Sequence, residues 1–178
     1  MSTQETENVR QKSGEVEASG LRLDEERSEQ IIDALNTEAA AMYVLYHQLK
    51  KHHWNVEGAE FRDLHLFLDE AAENAEEFAD EFAERAQALG GVPHASMSTL
   101  EENAPVESED EDVYDVRTSL ENDLEIYGDV IEMLREHIEL AENLGDHATA
   151  DILTDSLVEI EEDAHHIEHY LEDDSLKQ

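Results

Sequence analysis

Along one side of the stretch 65–84 stand six side chains able to hold a cation: His65, Asp69, Glu73, Glu76, Asp80 and Glu84. At about 100° per residue they fall within an arc of roughly 100° on one side of a helix. Leu64, Leu68, Ala71, Ala75, Phe78, Phe82, Ala86 and Leu89 fall within roughly 80° on nearly the opposite side. The second arc reads as a core face, the first as a row of oxygen and imidazole ligands. Cysteine is absent, so a bound metal must be held by carboxylate, imidazole or water, a donor set suited to iron, manganese or zinc. A solvated acidic face is the competing reading, and Glu70, Glu77 and Glu81 beside the row suit it.

Spacing constrains the chemistry further. His65 and Asp69 are one turn apart and can share a metal, as can Asp80 and Glu84. Asp69 and Glu84, however, stand about 22 Å apart along a straight helix, too far for one mononuclear or dinuclear centre. These are two half-sites. They become whole sites if two copies pack antiparallel about a twofold axis, so that Asp80 and Glu84 of one face His65 and Asp69 of the other.

The elements that must position these residues are helical. Residues 1–20 read as a flexible polar tail, 21–174 as one four-helix domain and 175–178 as a second short tail. From an N-cap at Asp24, apolar residues recur at Ile31, Leu35, Met42, Leu45, Leu49 and Val56, with Gly58 as the stop. A second helix is expected from Phe61 to Leu89, halted by Gly90, Gly91 and Pro93. The connection 92–111 holds a possible short helix at Ser98–Asn103 and an acidic run from Glu107 to Asp112. A third helix is expected over Val113–Leu144 and a fourth over His147–Leu171, with Gly145 and Asp146 between them. Short turns make two antiparallel hairpins, and the long connection can cross the bundle lengthwise. The fold class is therefore all-α, a four-helix bundle with a crossover between its second and third long helices.

The 178 residues include 48 acidic and 11 basic ones, for a net charge of −37. Such a field repels nucleic acid and anionic membranes and concentrates cations. It also keeps a surface hydrated in concentrated salt, and both readings can hold. The polar N-terminus has no signal-peptide h-region and no run approaches a membrane span of about 20 apolar residues, so a cytoplasmic protein is expected.

The segment His53-Trp54-Asn55-Val56-Glu57-Gly58, with Phe61, Leu64-His65, Asp69, Asp80, Ala83-Glu84-Arg85 and Leu89-Gly90-Gly91, closely resembles the Dps family of miniferritins. Thr149-Ala150-Asp151-Ile152-Leu153-Thr154 echoes the start of that family's last helix. The resemblance implies a ferritin-like bundle, in a halophilic member, assembling into a hollow dodecamer of tetrahedral symmetry. It implies that His53, His65 and Asp69 meet Asp80 and Glu84 of a twofold mate. There iron(II) would be oxidised by hydrogen peroxide or dioxygen and stored as ferric mineral. Trp54 could donate an electron to a stray oxidant or simply pack at the helix end. Glu73 and Glu76 would hold ferric ions as mineral begins to grow, unless they are plain solvated residues.

Asp146, His147 and Asp151 lie where the family's threefold pores would be, and an acidic ring there would admit iron(II); Asp146 could instead be only an N-cap. His165, His166 and His169 cluster on the last helix, with Glu162 one turn before His165. His165 and His169 read either as surface histidines or as a secondary iron-transit site. Glu162-x-x-His165 also invites a bacterioferritin-like intrasubunit di-iron site, but the second helix lacks the matching motif that site needs. Direct DNA binding is disfavoured because the tail carries Arg10 and Lys12 against Glu5, Glu7, Glu15 and Glu17. A purely structural acidic bundle without metal is the remaining alternative.

Overall fold

Asp24, in extended conformation, accepts a hydrogen bond from the Glu26 amide and so starts α1 (Glu25–Asn55) in the computed structural model, which describes residues 8–172. The helix closes with Val56 N–H donating to the His52 carbonyl, and Gly58, at φ 108°, turns the chain. Next come α2 (Phe61–Ala88), the short α3 (Met97–Asn103), α4 (Val116–Leu144) and α5 (His147–Leu171). Gly145, in the left-handed region at φ 81°, caps α4, and Asp146 at once caps α5 through the Thr149 amide.

The two hairpins, α1 with α2 and α4 with α5, pack α1 against α4 and α2 against α5. Small residues on α2 (Ala71, Ala72, Ala75, Ala79 and Ala86) are all buried, which lets the neighbouring helices approach closely. Leu35, Leu45, Leu49, Phe82 and Leu134 fill the space between them. Truncating one such Leu to Ala costs about 2–5 kcal/mol. α3 packs on α1 within the crossover that joins the hairpins. No helix among the described residues is long and apolar enough to cross a membrane.

Two sequence expectations need correcting. α4 begins at Val116 rather than Val113, because Asp115 supplies the cap, accepting from the Thr118 amide and hydroxyl. The segment expected to be a free tail is tied down in part: Glu17 N–H and the Gln11 amide both donate to the Gly90 carbonyl. A Cβ at Gly90, itself at φ 99°, would lie 1.9 Å from the Glu17 carbonyl oxygen, so glycine is what permits this approach. Residues 1–7 and 173–178, which include the second expected tail, lie outside the described residues.

Candidate metal centre

His53, in the last turn of α1, meets His65, at the start of the second turn of α2, across the 56–60 turn. Their rings stack with centroids 3.8 Å apart and planes 17° from parallel. Each anchors the other: His53 Nδ1 lies 2.8 Å from the His65 carbonyl oxygen, and His65 Nδ1 lies 2.9 Å from that of His53. A carbonyl can only accept, so both Nδ1 atoms carry protons, and in the neutral rings both Nε2 lone pairs are left for a cation. Phe61 stacks on His65 with centroids 5.0 Å apart. Asp69 stands beside them, its Oδ1 3.7 Å from His53 Nε2.

Lys50, one turn before His53, also reaches this carboxylate, with Nζ 2.5 Å from Asp69 Oδ1. That hydrogen bond, aided by the charge of Lys50 and only partly opposed by desolvation, holds Asp69 below the usual carboxylate range. Lys50 is raised in turn, chiefly by the same bond. An ammonium thus stands where a cation site needs its carboxylate.

Asp80 and Glu84 are exposed further along the same face of α2, and the fold does not bring them to Asp69 within one chain. Among the described residues no group of three or more His, Asp or Glu side chains is arranged to hold a metal. One chain by itself presents no complete centre. Glu73 and Glu76 are exposed between the halves. Trp54 is 68% exposed beside His53 and so does not pack at the helix end within its own chain.

Asp146, singled out as a pore residue, is engaged within its own chain. Arg85 Nη2 donates to both of its oxygens, at 2.7 and 2.9 Å, while the Thr149 hydroxyl donates to Oδ2 and the Thr149 amide to Oδ1. Burial pushes this carboxyl up, but the bonds from Thr149 and Arg85 outweigh it and leave it below its usual range. Asp151 and His147, by contrast, are exposed. Glu162 and His165 are exposed too, which is incompatible with an intrasubunit di-iron site, whose ligands must face the bundle interior. His165 and His169 do come together on α5, with Nε2 atoms 3.1 Å apart.

Sequence reasoning missed Lys50, although its position three residues before His53 puts it on the same helix face. It also missed a clasp behind the site. His52 is buried between Asp123, 2.8 Å from its Nδ1, and Glu109, which meets its Nε2. Glu109 accepts as well from Lys51 at 2.7 Å and from Asn122 at 2.6 Å, and its backbone amide donates to Gln48 Oε1. Burial works against a charged His52, but the bonds and charges of Asp123 and Glu109 win, so its pKa is raised. Burial likewise pushes Glu109 up, yet the bonds from Lys51, Asn122 and His52 hold it low. The acidic run of the crossover is therefore not simply solvated; Glu109 fastens it to α1 and α4.

A family model described as a ferritin-like domain matches residues 32–176. The DNA protection during starvation protein of Halobacterium salinarum is 71% identical over 177 residues, covering 99% of this chain and 96% of the relative. The chain belongs to the Dps family. A nutrient stress-induced DNA-binding protein of Nostoc, 37% identical over 172 residues, covers 97% of this Dps chain and 94% of its own. The crystal structure of an archaeal Dps homologue from Halobacterium salinarum superposes with a TM-score of 0.93 over 96% of each chain, at 71% identity. A Vibrio cholerae Dps, described as a member of a superfamily of ferritin-like diiron-carboxylate proteins, gives a TM-score of 0.82 at 28% identity, covering 87% of this chain and 97% of that one.

Proposed function

We propose that this Dps chain is a cytoplasmic ferroxidase and iron-storage subunit, working in a hollow dodecamer of tetrahedral symmetry. The observation that carries the reading is the His53–His65 pair, whose mutual Nδ1 bonds leave both Nε2 atoms free beside Asp69. Asp80 and Glu84 stand on the same helix face at a distance that only a second copy can close. Iron(II) is the substrate. The imidazoles select a borderline cation, and the carboxylates favour iron(III) over iron(II), which makes the bound ion easier to oxidise. With hydrogen peroxide, two iron(II) ions each lose one electron and the O–O bond breaks to give two hydroxides; dioxygen is the alternative acceptor. Exposed Trp54 would intercept stray one-electron oxidants. Glu73 and Glu76 would retain ferric ions for mineral growth, and Asp151 would contribute to the path by which iron arrives.

Replacing His53 and His65 together by Ala should abolish rapid oxidation of the first irons while the cage still assembles, as followed by absorbance and light scattering. Unchanged initial rates would refute the assignment. Glu73→Gln with Glu76→Gln should leave those first irons oxidising normally but slow filling of the cage; normal filling would remove the nucleation role. The relatives' names speak of DNA protection and DNA binding. A net charge of −37 opposes direct contact with a polyanion, so protection here would act through removal of iron and peroxide.

A further inference from the structure

On the exposed face of α5, His165 and His169 are one turn apart, with Nε2 atoms 3.1 Å apart, ring centroids 4.3 Å apart and planes at 79°. Two imidazole nitrogens bound to one divalent ion at about 2.0–2.1 Å are separated by about 2.8–3.4 Å, from cis-octahedral to tetrahedral geometry. The observed separation lies in that range. Glu168 Oε2 lies 3.7 Å from His165 Nδ1, on the other side of the ring from the paired nitrogen. A carboxylate there favours the tautomer that keeps its proton on Nδ1 and frees Nε2. His166, between them in sequence, is turned away, edge-on to Phe67 at 5.8 Å.

We propose that His165 and His169 form a two-imidazole chelate for a borderline divalent transition ion, completed by water and separate from the centre at His53 and His65. Two nitrogen donors without a thiolate follow the usual order of divalent affinities, so copper(II) binds more tightly than zinc(II), and zinc(II) more tightly than iron(II). The net charge of −37 raises the local concentration of any such cation. The pair would otherwise be joined by a direct N–H···N bond between neutral rings, an arrangement that takes up no metal. The proposal does not depend on the iron-oxidising reading.

The test uses the assembled full-length protein carrying His53→Ala and His65→Ala, titrated with less than one copper(II) per chain and followed by electron paramagnetic resonance. The expected spectrum shows coupling to two equivalent nitrogens. His165→Gln or His169→Gln should each reduce the coupling to one nitrogen. Each should also weaken binding by at least about tenfold, the smallest loss usual for disturbing even a group behind a ligand. His166→Gln should change neither. All three positions are exposed, and unchanged circular dichroism verifies the helix. Two-nitrogen coupling that survives His169→Gln, or an equal loss in His166→Gln, overturns the proposal. Failure of the iron reading would appear separately, as undiminished iron oxidation in the His53 and His65 background.

Discussion

Lys50 and Asp69 show how one contact sets the behaviour of a site. The ammonium keeps the carboxylate ionised and in place, yet it must yield Oδ1 before a cation can take it. Lys50→Met retains the apolar stem and removes the competitor. The variant should bind the first iron(II) about two- to fivefold more tightly, the scale of a part-exposed ion pair, as measured by calorimetry without oxidant; equal or weaker binding would show that Lys50 does not compete. Asp163 is a different case. Burial raises its pKa to about 6, against the neighbouring Asn74 and the Tyr127 hydroxyl, which donates at 3.4 Å. An acid held more protonated in the folded than the unfolded state adds stability as the pH falls from about 6 toward its ordinary value near 4. Above that window the buried charge is a net cost. Asp163→Asn should therefore stabilise the protein by about 1–3 kcal/mol at pH 7.5, with the advantage shrinking toward pH 4. Melting curves at both values check the sign.

At the scale of elements, the helices were legible because each has its own local signals. Asp24, Gly145 and Asp146 are caps, and the α2 core face is a clean stripe. The start of α4 was misplaced because Val113 and Tyr114 look helical until the Asp115 cap is recognised. The role of the crossover was not legible at all. Glu109 is one of five acidic residues among the six positions 107–112, and nothing local separates it from the others. Only the arrival of Lys51, His52 and Asn122 around it makes it an anchor. Glu109→Ala leaves those donors without their acceptor and should cost about 1–3 kcal/mol, the range for an unsatisfied buried polar group. It should also expose 105–112 to proteases before the helices melt. Cleavage no faster than in the parent would show that the clasp is dispensable.

For the whole molecule, charge dominates. Carboxylates spread over the surface repel one another, and the screening length falls from about 10 Å at 0.1 M salt to about 3 Å at 1 M. The melting temperature should rise as potassium chloride is raised over that range; a flat or falling curve would contradict it. The sequence by itself determined the helical elements, the hairpin order and the shared helix side of His65, Asp69, Asp80 and Glu84, because helical period and rise act over neighbouring residues. It also determined that thiolate chemistry is excluded. The tertiary structure decided which of the singled-out groups remain available. It freed both Nε2 atoms by crossing the His53 and His65 Nδ1 bonds, consumed Asp146 with Arg85, and turned Glu162 and His165 outward. Those outcomes depend on partners far along the chain, 61 residues for Arg85 and Asp146, and a local pattern carries no record of which side chains packing will bring together.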